Sequence, residues 1–285
     1  MIKKLILGTA NFDLNYGLKN RFKKLKKKEI KKIIYYSKKK NINYIDTAQS
    51  YKNTEKILGR ENINQFKIIT KFTSFDKSNV KKSVKRKYLT SINNLKTNTL
   101  HTVLFHNPQD LLKKKGAEIF NEIMLLKKKG CIKKIGVSVY TKKELREILK
   151  QYKIDVVQIP LNIFNQSFLT KNFILEMKKK NIEIHARSIF LQGLLLLKKK
   201  KIPKSFLRYS YIFEKWNSWL KKNKINNLNA CLNFIANQKN IKKFVVGVDS
   251  LKQLTEIVNF KKSKKIFNFT ELHTKLTSVN NPVKW

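Results

Sequence analysis

The sequence predicts an α/β protein folded as a (β/α)8 barrel, the TIM-barrel architecture, and three observations lead there. Eight short runs rich in β-branched residues recur along the 285 residues. Longer, lysine-rich amphipathic stretches separate them. No Pro/Gly/Ser-rich linker and no close sequence repeat divides the chain, so a single domain over 1–285 is expected. Eight parallel βα units close most economically into a barrel, which leaves no free sheet edge. An open, doubly wound sheet is the alternative, weakened because no GxGxxG follows the first strand.

The expected strands are Lys4–Leu7, Tyr44–Ile45, Lys67–Thr70, Thr102–Phe105, Lys134–Val137, Val156–Ile159, Ile182–His185 and Phe244–Val246. Helical periodicity lies near 29–40, 53–59, 78–96, 116–129, 142–150, 169–180, 225–237 and 250–260. Two segments depart from the alternation. Residues 188–224 form an insert after the seventh strand and carry Trp216 and Trp219, and residues 261–285 form a tail ending in Trp285. Both can fold over the barrel mouth and shape a pocket; the plainer alternative is that the tail caps the barrel side and its tryptophan is an anchor.

Composition narrows the partners. The chain holds 64 Lys and Arg against 18 Asp and Glu, a formal charge of +46. Only six of the basic residues are arginine, the side chain suited to forked phosphate or base contacts. The lysines come in short runs spread evenly, such as Lys26–Lys28, Lys113–Lys115 and Lys198–Lys201. Abundant Asn, Ile, Phe and Tyr with scarce Gly and Pro is what A/T-rich codons supply. Solvated lysine faces therefore explain the charge, and specific nucleic-acid binding is not expected, although anionic ligands would be steered in. Cys131 and Cys231 have no CxxC spacing, and no metal-ligand pattern or P-loop is present. The greasiest stretch, Ile189 to Leu197, is interrupted by Gln192 and Gly193 and is too short to span a bilayer. A soluble, cytoplasmic protein without membrane contact is expected.

Three consecutive strands finish on titratable residues of different kinds: Asp46, Lys71 and His106. In a barrel these project from the C-terminal rim, where such folds carry their chemistry. Tyr51 follows in a short loop that can bring its phenol back over the mouth. A free phenol, with pKa about 10, is a poor acid near neutrality, and an ammonium such as Lys71 is expected to lower that value. Asp46 would keep Lys71 charged, and His106 could hydrogen-bond a substrate carbonyl. Together they could protonate an alkoxide. A structural Asp46–Lys71 pair is the bland alternative. A second chemical reading makes Lys71 a Schiff-base nucleophile, which the neighbouring carboxylate opposes by holding the amine protonated.

The stretch YIDTAQSYKNTEKILG (44–59) resembles the most diagnostic signature of the aldo-keto reductase superfamily. The resemblance continues through LILGTANF and LNYG near the start, KIITK, VLFHNPQDLL, KKIGVSVY, VVQIPLN, ARSIFLQGLLLL and FVVGVDSLKQLTEI. The RS-F-QGLLL pattern and the terminal Trp are closest to bacterial members linked with polysaccharide or sugar-nucleotide pathways. The resemblance implies an NAD(P)-dependent oxidoreductase that reduces a small aldehyde or ketone, with Asp46, Tyr51, Lys71 and His106 in the catalytic positions. It implies cofactor contacts from Gly8 and Thr9, carboxamide contacts from Ser138 and Gln158, and stacking by Arg187 where many members have tyrosine. Ser188 and Gly193 match the pyrophosphate loop, and Gly247, Ser250, Gln253 and Glu256 match the adenosine end. Two departures stand out: Val139 replaces an asparagine, and Gly247 and Gln253 replace the Lys and Arg that many members set on the 2′-phosphate. Lys252 lies nearby. NADP(H) is favoured by the resemblance, with NAD(H) the alternative. A cofactor-binding regulatory barrel is the non-enzymatic reading.

Overall fold

The computed structural model describes residues 1–14, 18 and 24–285. Asn15, Tyr16 and Gly17 of the LNYG stretch lie outside the described residues. Eight parallel strands close a barrel in sequential order: β1 Leu5–Gly8, β2 Tyr44–Asp46, β3 Lys67–Phe72, β4 Leu100–Phe105, β5 Ile132–Ser138, β6 Val156–Pro160, β7 Glu183–Arg187 and β8 Lys243–Gly247. The last pairing, Leu5–Gly8 of β1 against Phe244–Gly247 of β8, completes the ring.

The helices between strands are α1 Lys27–Lys39, α2 Thr54–Leu58, α3 Val80–Leu95, α4 Gln109–Leu112, α5 Gly116–Lys128, α6 Lys142–Gln151 and α7 Lys171–Lys179. The longer β7–β8 connection carries α8 Ser210–Asn223 and α9 Asn227–Ala236, and α10 Leu251–Val258 and α11 Thr277–Asn280 follow β8. Their starts are written locally. Asn79, Asn226 and Ser250 cap α3, α9 and α10 through side-chain oxygens, and Thr141 and Glu144 form a reciprocal capping box on α6. On α1 the buried face is Ile30, Ile33, Ile34 and Ser37, at the spacing a 3.6-residue period requires, and the intervening lysines face water.

The strand period of two sorts every strand into an outward and an inward set. Outward residues such as Leu7, Ile45, Val103, Phe105, Val137 and Ile159 are buried beneath the helices in the main core. Burial of each such side chain is worth roughly 1.5–3 kcal/mol. Ile6, Ile69, Leu104 and Val156 form a separate cluster inside the barrel, with Tyr44 and Val245 packed against it. Gly136 faces the same interior, where a Cβ would come within 2.1 Å of the Val156 carbonyl oxygen. One step further along each strand, the same parity delivers Gly8, Asp46, Lys71, His106, Ser138, Gln158, Arg187 and Gly247 to the C-terminal rim. Eight residues singled out from sequence are thus one layer of the barrel.

The insert divides into two parts. Residues 188–197 run along the mouth, while α8 packs outside, where Trp216 and Trp219 stack with centroids 5.7 Å apart. The tail packs on that outer part: Trp219 donates from Nε1 to the Asn268 carbonyl at 3.0 Å and lies against Phe269, and Trp285 sits edge-on to Phe206. Its other anchor is the β6–α7 loop, through Thr274 N–H to the Phe164 carbonyl at 3.0 Å. The tail is therefore anchored on α8 and on a loop that leaves the C-terminal end of β6.

Candidate active site

Asp46, at the end of β2, is 3% exposed and satisfied on both oxygens. Oδ1 pairs with Lys71 Nζ, and Oδ2 accepts from Gln158 Nε2 at 2.8 Å. Lys71, 1% exposed, also donates to the Thr47 carbonyl at 3.0 Å and lies 3.5 Å from the Tyr51 hydroxyl. His106 presents its ring edge-on to Tyr51 at 6.0 Å between centroids, and its Nδ1 is 3.1 Å from Ser50 Oγ. The four residues thus meet at one point of the rim.

The loop that carries Tyr51 is held by its neighbours. Thr47 N–H donates to the Ile69 carbonyl at 2.8 Å, and Gln49 N–H donates to the Lys71 carbonyl at 3.2 Å. Gln49 Nε2 reaches the Lys87 carbonyl on α3, at 2.6 Å. On the far side Asp13 accepts from both the backbone and the side-chain nitrogens of Asn53, at 3.0 and 3.1 Å. Lys52 takes a left-handed φ of 48°, the bend that turns the chain back after Tyr51.

The electrostatics correct one expectation. Burial raises the Tyr51 phenol well above the ordinary tyrosine value, and the charge of Asp46 pushes the same way; Arg187 opposes them. Lys71, 3.5 Å from the hydroxyl, favours the phenolate, but its charge is offset by Asp46 and does not outweigh burial. Tyr51 is accordingly held as the neutral, proton-bearing phenol. Burial and the Lys71 charge push the His106 imidazole down to about 4, with Arg187 adding to the effect and Asp46 opposing it. His106 is therefore neutral at pH 7 and can donate a hydrogen bond to a neutral carbonyl.

A cleft of about 430 Å³ opens from Tyr51 across the rim toward α9 and α10. Gly8, Thr9, Asp46, Tyr51, Gln158, Arg187, Ser188, Gly193, Gly247, Gln253 and Glu256 all line it. Ser138 and Ser250 are not among its lining residues, and each already has a hydrogen-bond partner. Ser138 lies 3.3 Å from Arg187 Nε, and Ser250 caps α10 by accepting from the Gln253 N–H. The backbone along the insert side is left-handed at Ser188, Leu191, Gln192 and Gly193, with φ of 59°, 50°, 51° and 87°. Three of these are not glycine, so the loop holds a conformation that costs on the order of 1–2 kcal/mol at each such residue.

Several residues of the site were not singled out from sequence. Tyr140 stacks beneath the Arg187 guanidinium, 4.2 Å from carbon to ring centroid. Arg187 also donates to the Val139 carbonyl at 3.3 Å. Asn11 and Asp249 line the cleft beside Gln253, whose Oε1 accepts from the Asp249 N–H at 2.8 Å, and Leu196, Leu197, Asn227 and Leu228 line it too. His185, in the seventh strand, is buried in the barrel; its Nε2 is 3.5 Å from Glu183 Oε2, too poorly aligned for a hydrogen bond.

A family model for the aldo/keto reductase family matches residues 4–268. The chain belongs to that family. The barrel is similar to solved aldo-keto reductases: one from Bacillus halodurans, in its holo form, at 16% identity and TM-score 0.72, covering 92% of this chain and 88% of that one. A glycerol dehydrogenase from Gluconobacter oxydans aligns at 19% identity and TM-score 0.67, with the same coverage of both chains. A thermostable aldo-keto reductase complexed with epalrestat aligns at 19% identity and TM-score 0.67 over 92% of this chain and 91% of that one. At such identities the likeness speaks for the fold alone. No curated protein matches the sequence. As an aldo-keto reductase the chain is an oxidoreductase acting on small carbonyl compounds, and its family uses nicotinamide cofactors. Among the described residues no helix is long and apolar enough to cross a membrane, and no group of His, Cys, Asp and Glu is arranged to hold a metal.

Proposed function

We propose that this aldo-keto reductase reduces an aldehyde or ketone with Tyr51 as the proton donor. The observation that carries the reading is the buried Lys71–Asp46 pair directly under the Tyr51 hydroxyl, beside a neutral His106 and at the mouth of a cleft. The cleft fits a nicotinamide dinucleotide: a chiefly apolar lining is interrupted by the polar side chains of Asn11, Gln158, Asn227 and Gln253, and the buried Asn11 Oδ1 has no hydrogen-bond partner. When bound there, the reduced nicotinamide supplies the hydride.

The chain's own residues do the rest. His106 orients the carbonyl oxygen by hydrogen bonding, toward the Tyr51 hydroxyl. As negative charge develops on that oxygen, Tyr51 donates its proton, and the strongly basic alkoxide accepts it despite the raised phenol value. Lys71, fixed by Asp46 and the Thr47 carbonyl, steadies the phenolate left behind. Gln158 and Arg187 hold the opposite wall, Gln158 by donating to Asp46 and Arg187 by bracing against Tyr140. Lys71 has no opening to attack a substrate carbon, since Asp46, Thr47 and Tyr51 enclose its Nζ. That argues against the Schiff-base lyase.

The test is carbonyl-dependent oxidation of reduced nicotinamide, followed across a panel of sugar, keto-acid and aliphatic aldehydes and ketones. Turnover of at least one class is expected. Tight dinucleotide binding with no turnover of any carbonyl would instead favour a regulatory barrel.

A further inference from the structure

In a chain of +46 formal charge, one end of the cleft is conspicuously free of lysine. Among the described residues, Arg187 is the sole basic side chain lining it, and Arg187 sits at the Tyr51 end, over Tyr140. The other end, formed by the β8–α10 loop, α10 and α9, presents Asn11, Asp249 and Glu256. Lys252, beside Gln253, does not line the cleft. Lys198 and Lys261 line a shallow recess that adjoins it across Glu256.

These three groups share a chemical property. Asn11 Nδ2 donates to the Val248 carbonyl and to Asp249 Oδ1 at 2.6 Å, both acceptors, so the amide orientation is decided and Oδ1 is the atom left over. That oxygen is buried and without a partner. Asp249 and Glu256 are carboxylates, and no cation pairs with either among the described residues. Burial, with no cation opposite, lifts the Asp249 carboxyl above its usual value. All three are hydrogen-bond acceptors.

A ribose hydroxyl donates to such acceptors, and a carboxylate on the ribose 2′-OH is a recurrent means of holding NAD. A 2′-phosphate near neutral pH carries close to two negative charges and has no proton to donate. It would meet carboxylates where it needs cations or N–H groups. Gly247 and Gln253 offer neither charge, although space is not the reason at Gly247: an added Cβ would find nothing nearer than Asn11 Oδ1 at 3.8 Å.

We infer that the chain selects NAD(H) over NADP(H), with Asn11, Asp249 and Glu256 as the discriminating acceptors. This rests on the dinucleotide reading of the cleft and reverses the preference that the family resemblance implied.

The test is titration of the purified full chain with NADH and with NADPH, read by nicotinamide fluorescence at about 0.15 M salt, where diffuse attraction to surface lysines is screened. NADH is expected to bind about tenfold or more tightly than NADPH. Gly247→Lys and Glu256→Gln, both at exposed positions, are expected to narrow that ratio by about tenfold in combination. Equal or tighter binding of NADPH by the wild type overturns the inference while leaving the dinucleotide site standing. Binding of neither overturns the site itself. A wild-type preference for NADH that both substitutions leave unchanged overturns the assignment to this end of the cleft.

Discussion

The Asp46–Lys71 pair should behave as a single energetic unit. Both side chains are almost fully buried, at 3% and 1% exposure, so neither charge has water to fall back on. Replacing Asp46 with Asn leaves the Lys71 ammonium with the Thr47 carbonyl and the Tyr51 hydroxyl alone. Replacing Lys71 with Met leaves the Asp46 carboxylate with one donor, Gln158 Nε2. Removing one partner of a buried pair costs about 3–5 kcal/mol, whereas removing both is close to neutral. The expectation is therefore that Asp46→Asn and Lys71→Met each lose about 3–5 kcal/mol and that the double variant loses markedly less than their sum. The assay is urea unfolding at pH 7 on the wild type, both singles and the double. Strict additivity, or single losses below about 1 kcal/mol, would refute the idea that this pair is desolvated and mutually dependent.

Stability should fall on acidification before the carboxylates titrate. His106 in the folded chain sits at about 4, below its ordinary 6.5. The unfolded chain therefore binds more protons between those values. The contribution is fully present above about pH 6.5 and disappears progressively toward pH 4, on the order of 2–3 kcal/mol for His106. His101, also pushed down to about 4, adds less because it is only partly buried. Glu183, held at about 2 by the nearby His185 ring and the Lys134 ammonium, which together outweigh burial, extends the loss below pH 4.5. Urea midpoints measured from pH 7.5 to 4.5 check the direction; a flat profile down to pH 5 would contradict it. Separately, Trp219→Ala removes a 5%-exposed ring that stacks on Trp216 and Phe269 and holds the Asn268 carbonyl. It should cost about 3–5 kcal/mol and expose residues 261–285 to limited proteolysis; protection equal to the wild type would show that the tail is anchored elsewhere.

Much of the barrel was legible because its signal is periodic. The eight strands are found within two residues of their expected starts, and parity along them carries Asp46, Lys71, Gln158 and Arg187 to one rim. The seventh strand runs two residues further than expected, to Arg187, since β6 pairs with it through Pro160–Arg187. What sequence could not supply was direction across the site. Tyr140 lies only two residues beyond Ser138, but its stacking under Arg187 depends on the β5–β7 spacing. Asn11 and Asp249 are 238 residues apart and meet through closure of β1 against β8. The sign of the Tyr51 shift was missed for a related reason. Proximity of Lys71 was inferred correctly, but its cancellation by Asp46 and the burial of the phenol are collective properties of the packed rim. Ser250 reads equally well as a cap or a ligand contact, and only the helix start showed the cap.

Substitution of Tyr51 by Phe tests the proton-transfer claim most directly, because it deletes one hydroxyl and keeps the ring beside His106. With the dinucleotide at saturation, carbonyl reduction should fall at least about a hundredfold while dinucleotide affinity changes little. Activity within about tenfold of the wild type, at unchanged cofactor affinity, would show that the proton comes from elsewhere.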